Sequence, residues 1–359
     1  MRTPKVKTML TTLETRHVFL DTQVFVAANF QYDSRLLNTL TNYVQANKIS
    51  LHLTTITIRE IENNIHEAVR QAKQAANSMR KNGRILRNCT KTPFENVLRF
   101  SMEEITVELI AQFANFLENN RVNIIPIDNV SSSKIFDKYF TNKPPFSEGK
   151  KKHEFPDAFS LAALEDWCKS NKEKMYVVSG DCDLIQACKN NSVLITLSKL
   201  EELLDKASAD IQTHEVAYRL HDYYEDLLES EVKRAYQDSG YWLEDAKGEV
   251  YEVYIERVRV LERHLVSVDE KKFSYQSTFK ITLSANISYE DLTSMYFDSE
   301  EKKHFTLSYI RKTLIRDYIC DASIDMYYST EDVEREEIDY SVDIHIDRPV
   351  GLIVHEEGT

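Results

Sequence analysis

Acidic residues stand at several points of the sequence where one predicted element gives way to the next. These are Asp21 at the end of HVFLD, Glu60 near the start of a long helical pattern, Asp157 in EFPDAFSLAALEDW, Asp181 after MYVVSG, and Asp183 just beyond it. If such carboxylates meet at one place, they can bind a divalent cation, because Mg²⁺ and Mn²⁺ prefer oxygen ligands. A bound cation of this kind can lower the pKa of a water molecule and activate it for hydrolysis of a phosphodiester.

Electrostatic repulsion makes a cation necessary if the acids do meet. Two carboxylates about 4 Å apart repel each other by roughly 4 kcal/mol at an effective dielectric constant near 20. A cluster without a counter-charge would therefore be strongly penalised or partly protonated. The sequence thus predicts a magnesium or manganese site, provided that the fold brings these residues together.

The elements around the acids predict a fold that does so. Four short apolar runs, HVFLD, SLHLTTIT, KMYVVSG and SVLITL, have the length and composition of buried strands, and helical patterns lie between them. Such alternation is typical of a parallel sheet covered by helices on both faces. Ligands bind at the carboxyl ends of the strands in these sheets, and the acids are expected at that edge.

Each acid also has an ordinary explanation when taken alone. Asp157, beside Pro156, could complement a helix N-terminus, and Asp181 could cap a helix. Asp21 could be a residue of a strand-end turn, and Glu60 a solvated helix acid. Their recurrence at one predicted sheet edge favours the cation site. Glu62 and Glu154 are assigned no role.

The segments LDT (20–22), REIE (59–62), FPDA (155–158) and SGDCD (179–183), in this order and at these intervals, resemble those of the PIN-domain nucleases. The FPDA form is most similar to larger bacterial PIN proteins with an extra C-terminal domain. The resemblance covers roughly residues 16–205. It implies a Rossmann-like three-layer fold and a Mg²⁺ or Mn²⁺ site that cuts RNA or, less often, DNA.

The resemblance also implies roles for individual residues. The catalytic acids are Asp21, Glu60, Asp157 and Asp181; the metal ligands are Asp21, Asp157, Asp181 and Asp183; and Ser179 supplies a supporting hydroxyl. Two features depart from the family pattern. The insert between Glu60 and Asp157 is longer than in compact members, and Cys182 stands where larger polar residues are common.

Two basic segments are candidates for nucleic-acid binding. No acid occurs from residue 68 to residue 94, and the basic residues of the two segments are Arg70, Lys73, Arg80, Lys81, Arg84, Arg87, Lys150, Lys151 and Lys152. A solvated helix face and a lysine-rich loop are the ordinary alternatives. Aromatic residues are sparse in both segments, so we expect contacts to the phosphate backbone of single-stranded RNA without strong base recognition.

The remainder of the chain has a different character. The net charge of −13 arises after residue 205, since the preceding part carries slightly more basic than acidic residues. A helical stretch from residue 218 to residue 232 precedes strands of period two at residues 279–289 and 338–346, which predict an antiparallel sheet with one solvated face. We therefore expect a PIN-like nuclease domain at 1–205 and an acidic α+β domain at 206–359. The second domain is expected to bind a protein regulator or to self-associate.

Composition excludes several other classes of protein. The five cysteines have no CxxC or zinc-type spacing, which favours free thiols in a reducing compartment. No apolar run is long enough for a membrane span, and the N-terminus lacks a secretory pattern, so we expect a cytoplasmic protein.

The leading hypothesis is a metal-dependent endoribonuclease, with a toxin-like or defence role as an interpretation. A non-catalytic PIN-like scaffold that binds protein or RNA, and a flap-type DNA nuclease, are the alternatives.

Overall fold

The computed structural model describes residues 12–84, 88, 101–146, 154–189, 191–208, 210–269, 271–299, 303–327, 342–346 and 350–354. The chain divides into two compact units, one formed by Thr11–Ala207 and one that contains Ser208–Thr359. Four of the sequence predictions lie outside the described residues, namely those for Arg87, for Cys89, for residues 150–152 and for the start of the strand at 338–341. The two units are described separately.

The described residues of the first unit form a five-stranded parallel sheet. Its strands are β1 (His17–Leu20), β2 (Ser50–Thr54), β3 (Asn123–Ile125), β4 (Met175–Val178) and β5 (Leu194–Leu197). They lie in the order β3-β2-β1-β4-β5, and each neighbouring pair is parallel. Every residue of β4 is buried, as expected for a strand covered on both faces. The predicted parallel sheet with flanking helices is confirmed.

Several of the helices of this unit begin at a side-chain cap. They are α1 (Thr22–Ala27), α2 (Arg35–Gln45), α3 (Thr55–Asn82), α4 (Met102–Asn119), α5 (Ser132–Phe140), α6 (Phe155–Asn171), α7 (Cys182–Cys188) and α8 (Leu200–Ser208). The Thr54 side chain accepts from Thr57 N at the start of α3, and the Ser101 side chain accepts from Glu104 N at the start of α4. Pro156 lies in the first turn of α6, where its missing N–H costs no hydrogen bond.

Helix α3 is buried along only part of its length. Thr57, Ile61, Ile65 and Val69 recur every four residues and form its buried stripe, whereas no described residue of the helix after Val69 is buried. The helix begins at Thr55, so Glu60 lies in its second turn, near the start of the helical pattern as predicted.

The second unit combines two helices with an antiparallel sheet. The helices are α9 (Ile211–Tyr223) and α10 (Glu225–Gln237), and the strands are β6 (Tyr241–Leu243), β7 (Gly248–Asp269), β8 (Lys272–Glu290), β9 (Met295–Asp298), β10 (Lys303–Thr306), β11 (Tyr309–Tyr327), β12 (Val342–Ile346) and β13 (Val350–Leu352). The main sheet has the order β12-β11-β8-β7. The predicted antiparallel sheet is confirmed. The predicted single helical stretch is in fact two helices, which meet at Tyr224.

The alternating pattern of β8 divides the sheet into an apolar and a polar face. On the apolar face, Phe279 and Ile281 belong to the core that includes Leu228 and Val232 of α10. On the polar face, three hydroxyls of β8 each donate to an aspartate of β11: Thr282 to Asp317 (2.7 Å), Thr278 to Asp321 (2.6 Å) and Ser274 to Asp325 (2.7 Å). Cross-strand pairs of this kind stabilise adjacent strands and fix their register.

Strand β7 is interrupted by regularly spaced β-bulges. Its register with β8 shifts at Val250/Glu252, Ile255/Arg257, Val260/Glu262 and Leu265/Ser267. Side chains of α10 bind the backbone at two of these places, because Gln237 bonds to Val253 O and Ile255 N, and Glu229 Oε1 accepts from Val260 N over 3.1 Å. Bulges bend a strand and disrupt its free edge, so β7 offers a poor template for further strand pairing.

Candidate active site

Asp21 lies directly after β1, at the carboxyl edge of the parallel sheet. Its backbone N–H donates to Val178 O over 3.0 Å, which continues the pairing of β1 with β4. Its carboxylate accepts two hydrogen bonds, from Thr22 N to Oδ1 (2.7 Å) and from Ser179 Oγ to Oδ2 (2.6 Å). Each carboxylate oxygen is thus held by its own donor, and the orientation of this buried side chain is fixed.

Ser179 connects Asp21 with the second acid at this edge. Its buried hydroxyl accepts from Asp181 N over 3.0 Å while it donates to Asp21. Asp181 in turn caps α7, since its Oδ1 accepts from Asp183 N (2.7 Å) and Leu184 N (3.2 Å). Both capping bonds go to one oxygen. The helix cap and a role in binding a cation are therefore compatible, although the sequence presents them as alternatives.

Glu60 reaches the same edge from the second turn of α3. Its Oε2 accepts from Thr22 Oγ1 over 2.9 Å. Thr22 therefore contacts two acids, Glu60 through its hydroxyl and Asp21 through its backbone N–H. Sequence reasoning had no signal for this role, because the contact depends on residues that lie 38 positions apart in the chain.

Asp157 lies in the first turn of α6, within the field of the other acids. Burial, followed by the charges of Asp21, Glu60, Glu154 and Asp181, raises the pKa of its carboxyl to about 7. Burial also raises the pKa of Asp21 and of Glu60, and for both the charge of another acid adds to the effect. The structure thus brings Asp21, Glu60, Asp157 and Asp181 into one electrostatically coupled group.

Two further acids are placed differently from expectation. Asp183 lies half-buried in the first turn of α7, and it is not among the charges that raise the pKa values of the coupled group. Glu154, by contrast, is only 7% exposed, and its charge raises the pKa of Asp157. Sequence reasoning assigned Glu154 no role. Its position three residues before Asp157 at a helix start was the available signal, because residues at i and i+3 neighbour each other.

The chemistry of this donor set fits a hard divalent cation. All of the coupled side chains are carboxylates, and after burial their mutual repulsion contributes to the raised pKa of Asp157. Oxygen donors of this kind are the ligands that Mg²⁺ and Mn²⁺ prefer. Within the described part of the chain, no three His, Cys, Asp or Glu side chains already form a group that could hold a metal ion. Side-chain rotation would therefore be required for Asp21, Asp157 and Asp181 to ligate one ion together.

The predicted nucleic-acid-binding residues lie mainly along α3 and just beyond it. Arg70 forms an ion pair with Glu67, with 2.6 Å between Nη2 and Oε1, so part of its charge is already compensated. The residues Arg80, Lys81 and Arg84 are exposed at the end of α3 and after it, and Lys73 lies half-buried between them and Arg70. This described part of the basic segment therefore presents cations to solvent beyond the buried half of the helix.

The comparisons with known proteins agree with this geometry. Residues 18–184 match the family model of the PIN domain, and the match contains all four coupled acids. The first unit thus carries a PIN domain, a fold of nucleases, which confirms the resemblance noted in the sequence. No curated protein and no solved structure gave a match.

Two general predictions can also be compared with the structure. Cys168, Cys182, Cys188 and Cys320, the cysteines among the described residues, are free thiols, as predicted. Within the same residues, no helix combines the length and the apolar composition that crossing a bilayer requires.

Proposed function

We propose that this protein is a metal-dependent endoribonuclease that hydrolyses phosphodiester bonds of single-stranded RNA. The observation that supports this most directly is the position of Asp157 in the field of Asp21, Glu60 and Asp181 at the carboxyl edge of the sheet. Four carboxylates in one partly buried place are costly unless a cation accompanies them. A PIN domain with its acids gathered in this way is suited to nuclease chemistry rather than to a scaffold role alone.

In the proposed mechanism, Asp21, Asp157 and Asp181 would hold Mg²⁺ or Mn²⁺, with Asp183 as an additional ligand. When bound, the ion would supply Lewis acidity and an activated water. Ser179 and the Thr22 backbone orient Asp21 through one hydrogen bond to each oxygen. Thr22 Oγ1 holds Oε2 of Glu60, which leaves Oε1 as the atom that we assign to accept a proton from the attacking water.

The substrate in this proposal is bound chiefly through its phosphates. Arg80, Lys81 and Arg84 lie exposed at the end of α3, the helix that also carries Glu60, so a polyanion along this helix would lead toward the acids. The sequence carries further candidate cations at Arg87 and at residues 150–152. Binding of this kind weakens strongly as the salt concentration rises.

The acidic second unit is the proposed regulatory part of the molecule. Its excess of carboxylates would repel RNA, so we assign it to self-association or to binding a protein regulator rather than to substrate binding. A cytoplasmic, toxin-like or defence role is consistent with a nuclease that carries such a domain.

The test is a cleavage assay with matched variants. The purified chain is incubated with single-stranded RNA, single-stranded DNA or a flapped duplex, in Mn²⁺, Mg²⁺ or EDTA. We expect metal-dependent cleavage of the RNA by the wild type and its loss in Asp21→Asn and Asp157→Asn. Asp166→Asn is the control, because Asp166 is exposed on the same helix as Asp157. Equal cleavage by all four proteins, or cleavage by none under any condition, would overturn the proposal.

A further inference from the structure

The two long strands that flank β8 have very different outer edges. The edge of β7 is bent by bulges and bound in places by Gln237 and Glu229. Strand β11 pairs with β8 from Tyr309 to Tyr327 without any shift of register. On its other side β12 pairs only with the segment from Ala322 to Met326. Among the described residues, no strand pairs with the outer edge of residues 309–321.

This open segment has the properties of a strand that accepts another strand. Three of its apolar residues face solvent on the polar side of the sheet, with Tyr309 59%, Ile315 57% and Ile319 73% exposed. Natural proteins usually bend, charge heavily or cover a long regular edge, because its free N–H and C=O groups recruit further strands. The segment is regular, its five charged residues include both signs, and Ile315 and Ile319 lie on one face with Asp317 between them.

We propose that residues 309–321 pair antiparallel with the same segment of a second copy of this chain. Pairing along the whole open segment permits one twofold register, in which Ile315 lies opposite the partner's Ile315. The twofold axis then passes between these residues, and the two sheets become one continuous sheet. Within each copy, β12 pairs with Ala322–Met326, immediately beyond the end of the paired segment.

The side chains are complementary in this register. Thr313, whose hydroxyl donates to Asn286 Oδ1 within its own sheet over 2.8 Å, lies opposite the partner's Asp317, so no like charges face each other there. Arg311 lies opposite the partner's Ile319 and diagonally between the partner's Asp317 and the partner's Asp321, about 7–8 Å from each. Since the relation is reciprocal, each arginine gains two acidic neighbours, and the isoleucines at 315 cover each other at the axis.

The other face of the segment also favours this register. Lys312 lies opposite the partner's Tyr318, so no like charges meet there, and its ammonium group keeps its contacts with the Tyr289 ring and with Val354 O of its own copy. Sliding by two residues in one direction would place Lys312 opposite the partner's Arg316, and in the other direction would place Arg316 opposite the partner's Arg316. Both slides juxtapose like charges, which destabilises a cross-strand pair. A slide of one residue would bring the apolar face of one sheet next to the polar face of the other.

The first experiment measures the mass of the full-length chain in solution over a range of concentrations, by sedimentation or by light scattering. We expect a dimer for the wild type and a shift of at least tenfold in the dissociation constant for Ile315→Lys. Leu292→Lys is the control, because Leu292 is 67% exposed in the same unit but lies outside β11. A wild type that stays monomeric throughout, or a dimer that Ile315→Lys leaves intact, would overturn the proposal.

Cysteine cross-linking tests the register. Residues 315 of the two copies would lie about 4.5–5.5 Å apart between Cβ atoms, so the Ile315→Cys variant should form a disulfide-linked dimer under mild oxidation. The Thr313→Cys variant alone should not, because its two copies would lie about 14 Å apart, but its mixture with Asp317→Cys should form the linked heterodimer. The wild type gives the background from the exposed thiol of Cys182. Linkage by Thr313→Cys alone, or none by Ile315→Cys, would contradict the register.

Discussion

Thr22 joins the first strand of the parallel sheet to the long helix α3. Its hydroxyl donates to Oε2 of Glu60 over 2.9 Å, and its backbone N–H donates to Oδ1 of Asp21 over 2.7 Å. The residue is 8% exposed, so neither bond competes strongly with water. The mutual placement of two acids from different elements therefore depends on one small polar side chain and the backbone beside it.

Replacing this threonine should weaken the proposed nuclease without removing any acid. In Thr22→Val the shape is retained but Glu60 loses its donor, and a hydrogen bond to a charged group contributes about 1.5–3 kcal/mol. We expect the single-turnover cleavage rate to fall by about 10–100-fold and the affinity for Mn²⁺, measured by calorimetry, to fall as well. Thr22→Ser retains the hydroxyl and should restore both quantities. Wild-type rate and affinity in Thr22→Val would show that Glu60 needs no such support.

Asp157→Asn should stabilise the metal-free protein while it abolishes cleavage. In the folded chain the pKa of Asp157 is raised to about 7 from an ordinary value of 3.8, by burial and then by the charges of Asp21 and Glu60. The folded state therefore binds a proton more tightly than the unfolded state, and its stability falls as the pH rises from about 4 to about 7. Asparagine removes this penalty, which is on the order of 2 kcal/mol after allowance for partial exposure.

The measurement is urea unfolding of the two proteins in EDTA over a pH series. The variant should be the more stable protein above pH 7, and its advantage should shrink as the pH falls and vanish well below the ordinary pKa of 3.8, where the wild-type carboxyl is protonated in both states. Asp166→Asn, which changes an exposed residue of the same helix, should show no such pH dependence. An advantage that is constant with pH would mean that the charge of Asp157 is not its source.

Acid should destabilise the first unit through His52. This buried residue is hydrogen-bonded to His17 (3.0 Å) and to Asn123 (3.1 Å), and its pKa is lowered to about 4 by burial and then by the charge of His17. Between about pH 6.5 and pH 4, the unfolded chain binds a proton at His52 that the folded chain does not. Stability should therefore fall as the pH decreases through this window.

Trp167 reports on this change, because its ring lies 4.5 Å from that of His52 between centroids. Its fluorescence during urea unfolding, recorded in a Trp242→Phe background, follows the first unit. We expect the loss of stability between pH 6.5 and pH 4 to be smaller in His52→Gln and unchanged in His66→Gln, since His66 is exposed. An identical acid response in His52→Gln would assign the effect to other groups.

Gln237→Ala should destabilise the second unit and expose an edge of its sheet. Gln237 bonds to Val253 O and Ile255 N of a bulged part of β7, and both backbone groups lose these partners in the variant. We expect the free energy of unfolding to fall by about 1–2 kcal/mol and light scattering at equal concentration to increase. Lys233→Ala, an exposed change on the same helix, is the control. A variant as stable and as monodisperse as this control would show that the bonds contribute little.

The sequence predicts the first unit well because its buried strands can be recognised from their apolar composition. A strand buried on both faces, such as β4, reads as an uninterrupted apolar run, and the acids follow such runs directly. The approach of Asp181 to Asp21 could be inferred from the topology alone, since all parallel strands place their carboxyl ends at one edge. Fine contacts, such as that of Thr22 with Glu60, depend on the crossing of β1 and α3, and no local pattern encodes that crossing.

The second unit was harder to predict, and β7 shows why. Its core-facing residues Val250, Val253, Ile255, Val258 and Val260 are spaced alternately by three and by two, because each bulge adds a residue. This spacing matches neither the period of a strand nor that of a helix. Strand β8 has no bulge of its own, so its strict alternation of apolar and polar residues predicts a strand directly. The break between α9 and α10 at Tyr224 was missed because no proline or glycine marks it.

The bulges of β7 have a consequence for how the length of this chain can change. Each one holds a residue, such as Tyr251, that faces no partner on β8, so its deletion would leave a regular ladder on both sides. A deletion within β8 would instead invert every following side chain and bring lysine and threonine into the core. The removal of a bulge residue from β7 is therefore compatible with the fold, whereas a deletion within β8 would disrupt the core.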